Sequence, residues 1–139
     1  MKKKLSLTIL TPEKTVIADK PVDFVTIPAM DGEMGILPGH ASFVVQLTEG
    51  VLKYREVHKR EAFAIFSGFA EIQKNHVLVL AEAAEFAKEA DEERARQAYQ
   101  QAKEVLAMRG KDLDLDAAQA ALRRAIVRIK IAEFKKRHR

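Results

Sequence analysis

The change of hydrophobic period near Ala84 constrains this chain more than any other feature of it. Upstream, Leu5, Leu7 and Ile9 alternate with Ser6 and Thr8, the period of two expected of a half-buried strand. Short apolar runs follow at Val16–Ile17, Val22–Ile27, Phe43–Leu47, Val51–Tyr54, Glu61–Phe66, Phe69–Ile72 and Val77–Ala81. The breaks between runs carry turn chemistry: Thr11–Pro12–Glu13, Asp19–Lys20–Pro21, the stretch from Asp31 to His40, Glu49–Gly50, Val57–Lys59, Ser67–Gly68 and Lys74–Asn75–His76. Many short strands with no helical segment between them predict an all-β sandwich or barrel. Its core should be small and drawn from Leu7, Ile9, Phe24, Phe43, Val45, Phe63, Ile65, Phe69, Val77 and Val79.

Downstream, Ala95, Ala98, Tyr99, Ala102 and Leu106 fall on one helical face. Asp91 is the expected N-cap, with Glu92 and Glu93 in the first turn, where the helix dipole favours acids. This helix should stop near Gly110. Asp112, Asp114 and Asp116 offer a second start, and Leu115, Leu122, Ile126 and Ile129 repeat along one face of the second helix. Lys and Arg crowd its final turns, which again suits the dipole. The expected architecture is therefore mainly β with an α appendage: residues 1–86 as a β-sandwich and residues 87–139 as a helical hairpin.

Composition narrows the function. The chain has 139 residues, 47% apolar and 32% charged, which describes a folded globular protein rather than a disordered one. It has no cysteine, so a disulfide framework and a thiolate zinc site are both excluded, and the cytosol is the expected compartment. The basic start Met1–Lys4 is followed by an apolar run too short and too polar for export. No stretch reaches the roughly 20 apolar residues of a membrane-spanning helix. The net charge of +4 is uneven: residues 1–90 hold 11 Lys/Arg against 12 Asp/Glu, and residues 91–139 hold 13 against 8. The basic character belongs to the hairpin, which suits an acidic partner or a polyanion.

The hairpin is also rich in alanine, with ten between residues 90 and 126. Alanine has the highest helix propensity, yet buries little more than a methyl group, about 0.8 kcal/mol for a CH₂-sized unit. Each helix persists alone better than the pair holds together, so a mobile element and a static Ala-rich pair both fit the composition.

An active site is not legible. Histidines 40, 58, 76 and 138 do not pair at metal-ligand spacing, and no phosphate-cradling glycine loop occurs. Ser67–Gly68 lacks the flanking pattern of a nucleophile elbow, and Glu82 and Glu85 show no division into acid and base. Neither a catalytic residue nor a metal site is expected. The loop Asp31–His40, with glycines at 32, 35 and 39 and Pro38, is a shaped connection between strands. In the helices, Asp91 and Arg94 share one face and Arg124 and Arg128 another. A closed hairpin would gather guanidiniums suited to phosphate oxygens; i,i+3 salt bridging and a solvated basic face are the alternative.

Several segments in fixed order carry a family resemblance. Leu7–Thr8–Ile9–Leu10–Thr11–Pro12–Glu13, Gly32–Glu33–Met34–Gly35–Ile36–Leu37–Pro38–Gly39–His40–Ala41, Ser67–Gly68–Phe69–Ala70–Glu71–Ile72, and Asn75 before Val77–Ala81 together resemble the epsilon subunit of the bacterial F-type ATP synthase. The resemblance implies a sandwich of about ten short strands and a C-terminal helix pair. It implies a non-catalytic rotor subunit that grips the gamma subunit and the ring of c subunits, with Glu33 and His40 as candidate contacts to gamma or the c ring, at the cytoplasmic face of the bacterial membrane and attached only through the complex. The helices would extend toward the alpha and beta subunits and inhibit ATP hydrolysis. Some members bind regulatory ATP on the closed hairpin; the matching residues here are Glu85, Asp91, Arg94, Ala95, Arg124 and Arg128, with Ala90 and Gln101 departing from the pattern. No cofactor is required. The rival reading, a nucleic-acid-binding β domain with a basic helical arm, is disfavoured by aromatic residues in core-like positions and by the modest charge.

Overall fold

The computed structural model describes residues 3–108 and 114–138. Eight strands precede two helices: β1 Leu5–Leu10, β2 Thr15–Val22, β3 Phe24–Ala29, β4 Gly32–Ile36, β5 Phe43–Leu47, β6 Gly50–Glu56, β7 Lys59–Gln73, β8 His76–Phe86, then α1 Glu92–Met108 and α2 Leu115–Arg137. A single 3-10 turn, Ala87–Glu89, joins β8 to the helices. β1 lies between β2, antiparallel, and β8, parallel. β7 pairs with β8 along its length, while its first half pairs with β6 and its second half with β5. Because β3 pairs with both β5 and β6, the sheet folds over on itself and encloses one core. The result is the sandwich expected from the alternating pattern.

The strand count follows from one device. Ser67 and Gly68 both have positive φ, yet the β7–β8 register continues unbroken on either side of them, from Phe66 opposite Ala83 to Gly68 opposite Ala81. They are therefore a bend inside a strand, not the turn expected from their composition. The bend inverts the faces: Phe63 and Ile65 point into the core before it, Ala70 and Ile72 after it. β8 follows suit, with Val77, Val79 and Ala81 inward and then Ala84 and Phe86. Each long strand thus serves as two short ones, and eight continuous strands supply about ten segments.

The inversion also corrects the expected core. Leu7, Ile9, Phe63, Ile65, Val77 and Val79 are buried, and Phe43 and Val45 pack at its margin. Phe69 is 53% exposed, because alternation restarted at the bend and turned it outward. Two further breaks resolve differently. Asp19–Lys20–Pro21 is an irregularity within β2, where Asp19 at φ 45° donates its N–H to Thr8 Oγ1. The first half of the Asp31–His40 stretch is strand β4, hairpin-paired to β3 from Ala29–Gly32 to Val25–Ile36. By contrast, Lys74–Asn75 is the expected hairpin turn, with both residues at positive φ between paired Gln73 and His76.

The helices stack outward from the sheet. The expected α1 face holds, with Ala95 and Ala102 buried and Ala98, Tyr99 and Leu106 half-buried. Where α1 ends near Gly110, and the Asp112 start, lie outside the described residues. Asp114 caps α2 by accepting from the Ala117 N–H at 3.0 Å. The expected α2 face holds in part: Leu122 and Ile129 are half-buried, but Leu115 is 52% and Ile126 36% exposed. Two other stripes are buried instead. Ala118, Ala125 and Ala132, seven apart, recur at the spacing that keeps one line facing α1. Val127, Ile131 and Phe134 pack on Ala62, Ala64 and Phe66 of β7. A helix clamped between a neighbour and a sheet needs two narrow stripes, which a search for one broad stripe misses.

Candidate functional site

The root of the hairpin forms a cleft of about 430 Å³ where β8, the 3-10 turn, α1 and α2 meet. Asp91 starts α1 there as its N-cap, accepting from the Arg94 N–H at 3.1 Å and giving its carbonyl to the Ala95 N–H. That geometry spends the carboxylate on backbone rather than on an i,i+3 bridge to the Arg94 guanidinium. From α2, Arg128 reaches back to the end of β8: its Nε lies 3.0 and 3.1 Å from the two Glu85 carboxylate oxygens and its Nη2 lies 2.8 Å from Oε1. This fork-to-carboxylate pairing holds Arg128 above the ordinary arginine pKa, first through the hydrogen bonds and then through charge attraction, with burial opposing. The guanidinium also covers the Phe66 ring, 5.1 Å from its centre.

Five of the six residues singled out for an anion site, Glu85, Asp91, Arg94, Ala95 and Arg128, line this one cleft. Arg124, one turn before Arg128, is exposed and lies outside the lining. Ala90 also lines the cleft, and Gln101 is exposed on α1. Chemically, the cleft sets two guanidiniums, Arg94 and Arg128, against three carboxylates, Glu85, Glu89 and Asp91; Glu85 engages Arg128 and Asp91 caps α1, which leaves Arg94 as the guanidinium offered to an anion. A phosphate entering here competes with Glu85 for Arg128.

Glu33 and His40 do not converge. Glu33 sits on β4 beside a groove shared with Lys130 and Arg137 of α2. His40 lies past the end of β4, against the Phe43 ring at 4.9 Å between ring centres. Its loop is tied down by Asn75, whose Oδ1 accepts from the Gly39 N–H at 2.7 Å and whose carbonyl accepts from the Ser6 N–H at 2.8 Å. Asn75 thus joins the loop, β1 and the β7–β8 hairpin, a role invisible in its sequence context beyond its preference for positive φ.

A second surface emerges from the face inversion. Phe69 stands opposite Leu80 in the β7–β8 register, and Leu80 opposite Leu10 in the β1–β8 register. Leu10, Leu80 and Phe69 thus make an apolar row across β1, β8 and β7, with Leu80 and Phe69 49% and 53% exposed; Gln46 ends that row on β5, and in the adjoining row the exposed Glu71 stands between Leu78 and Val44. Aliphatic and aromatic groups in register on an open sheet face are the makings of a protein interface.

Fold and surfaces together describe a β-sandwich with a partly apolar open face and a helical hairpin appended to it. Models of the ATP synthase delta/epsilon chain match the whole of this architecture, the beta-sandwich domain at residues 4–87 and the long alpha-helix domain at residues 88–133. The ATP synthase epsilon chain of Symbiobacterium thermophilum is 45% identical over 128 residues, covering 92% of each chain. That of Desulforamulus reducens is 43% identical over 133 residues, covering 96% of this chain and all of that one. In the Euglena gracilis mitochondrial ATP synthase, solved as OSCP/F1/c-ring, one chain superposes with a TM-score of 0.82 at 26% identity, over 94% of this chain and 81% of that one. The chain belongs to the ATP synthase epsilon-chain family, and it is a non-catalytic subunit of that complex.

Proposed function

We propose that this chain is a central-stalk rotor subunit whose two parts divide coupling from control. Residues 1–86 dock on the gamma subunit through the apolar strip around Phe69 and Leu80, and reach the c ring through the β4 region, with Glu33 and His40 as contacts. Residues 87–139 form the regulatory part. In the closed arrangement the hairpin lies on β7; in the open one it extends toward alpha and beta and inhibits ATP hydrolysis. On this reading the subunit works at the cytoplasmic face of the membrane, attached only through the complex; the described helices include none long and apolar enough to cross one.

The observation that carries the control function is how the hairpin is held. α2 seats on the sheet through Val127, Ile131 and Phe134, while the buried side chains of α1 are the alanines Ala95 and Ala102, with ion pairs from Arg96 to Glu133 (3.4 Å) and from Glu92 to Lys136 (3.7 Å) running to α2. Alanine contacts give little burial free energy per residue, so opened and closed arrangements lie near each other in energy. ATP in the cleft at the hairpin root bridges α1 and α2 through Arg94 and Arg128 and favours closure.

Two measurements test this. Hydrolysis by the assembled complex should rise when the chain is truncated at Asp91, and most at low ATP; equal rates across ATP concentration would remove the inhibitory role. Titration of the isolated chain with ATP should give binding that Arg94→Ala weakens roughly tenfold, the loss of one charge-assisted contact, and that Asp91→Ala weakens by removing the N-cap that fixes the start of α1 at the cleft. Binding unaffected by both variants, or absent at millimolar ATP, overturns the nucleotide site.

A further inference from the structure

A separate cleft of about 670 Å³, cationic where the first is not, lies at the joint between hairpin and sheet. Lys59 and Arg60 enter it from the start of β7, Lys88 from the 3-10 turn and Lys135 from the last turns of α2, with Phe134 as an apolar wall. Glu61 is the single carboxylate in the lining. It is already shared, with Lys59 Nζ at 3.3 Å and Lys88 Nζ at 3.2 Å from the same oxygen, and its side chain is 7% exposed. Four cations against one acid leave an excess of +3 in a concave site. Arg60 also stands directly opposite Arg55 in the β6–β7 register, a like-charge pair that opposes strand pairing.

The geometry points to an anion site for a pyrophosphate-like group, distinct from the cleft at Asp91 and completed only when α2 is docked. Charge of one sign lining a low-dielectric concavity concentrates counter-ions there, and ammonium and guanidinium donors from three elements suit the many oxygens of a diphosphate. The same charges explain why the site couples to hairpin position. Lys135 on α2, whose Nζ donates to the Ala90 carbonyl at 3.1 Å, lines the same cleft as Lys59 and Arg60 of the β domain, so closing the joint without an anion adds a like charge to the cleft. An anion between them offsets that repulsion and stabilises closure. The group arrives either as free inorganic pyrophosphate or as the phosphate tail of a nucleotide; the chemistry of recognition is common to both.

The test is titration of the full-length chain with inorganic pyrophosphate at low salt, by calorimetry and by hydrogen exchange of α2. Saturable binding accompanied by slower exchange in α2 is expected. Arg60→Gln should weaken binding roughly tenfold, as one charge-assisted contact is lost, and Glu61→Gln, which removes the competing carboxylate at constant shape, should tighten it. Arg94→Gln, which disables the other cleft, should leave a saturable pyrophosphate step and the slowing of α2 exchange in place. Displacement of pyrophosphate by ADP in the Arg94→Gln background would identify the nucleotide tail as the source, and indifference to ADP the free anion. No saturation at millimolar pyrophosphate, equal affinity in Arg60→Gln and Glu61→Gln, or loss of binding in Arg94→Gln would each overturn the assignment. Because Arg94→Gln separates the clefts, failure here leaves the ATP reading standing.

Discussion

At the scale of single residues, Gly68 and Asp23 carry the sharpest expectations. Gly68 has φ 136°, and a Cβ there would run into the Leu80 carbonyl oxygen and the Ala81 backbone of the paired strand. Both the conformation and the space forbid a side chain, and neither neighbour can yield without breaking the β7–β8 ladder. Gly68→Ala should therefore destabilise the β domain by about 3 kcal/mol or more, read from urea unfolding. Asp23 works through charge. Its carboxylate receives Lys4 Nζ at 2.8 Å and the Val57 N–H at 2.7 Å, and these hydrogen bonds hold its pKa below the ordinary aspartate value. A depressed folded-state pKa contributes stability above the unfolded value and loses it as pH falls through the folded one. The stability gap between the native chain and Asp23→Asn should hold near neutrality and close below about pH 4. A gap that is constant from neutral to acid pH would show that Asp23 contributes nothing as an anion.

At the scale of elements, α2 is the decisive piece. It is the part of the hairpin that touches the sheet, through a patch of which Ile131 is 1% exposed. Removing its side chain should cost about 2–5 kcal/mol of docking free energy, enough to undock a weakly held element. In Ile131→Ala, amide exchange in α1 and α2 should accelerate while the β core keeps its protection. Uniform acceleration across both parts would mean that they unfold as one unit and that the hairpin is no independent switch. Polar ties add to the patch: Arg123 to Glu49 at 3.1 Å, Arg128 to Glu85, and Lys135 Nζ donating to the Ala90 carbonyl at 3.1 Å. The first is exposed on the arginine side and so is worth little alone.

At the scale of the whole molecule, the two faces of β7 have different fates. Its first half is covered on both sides, by the core and by α2, and its second half offers Phe69 to the outside. If that outer strip docks on a partner, Phe69→Asp and Leu80→Asp should abolish co-assembly with gamma while shifting the stability of the free chain by no more than about 0.5 kcal/mol, since both side chains are half exposed already. Co-purification and a thermal melt on the same preparations check both halves of that expectation. Normal assembly of both variants would move the interface elsewhere on the sandwich.

The division of the chain was legible in its sequence because hydrophobic period is a local property: two for a strand, 3.6 for a helix, with Asp91 and Asp114 marking the starts by their capping chemistry. The cleft at the hairpin root was partly legible too, since Asp91, Arg94 and Arg128 have the residue types and spacings that helices gather. What the tertiary structure decided was which side of each element faced what. Ser67–Gly68 reads as a turn, and only the continuous register of β8 against it reveals a bend that turns Phe69 out. The unbroken apolar run Ala62–Phe66 is the trace of burial on two faces, but its covering, α2, lies some sixty residues away in sequence. Alternation within a strand says that one face is dry; which face that is depends on what the rest of the chain lays against it, and no local pattern contains that information.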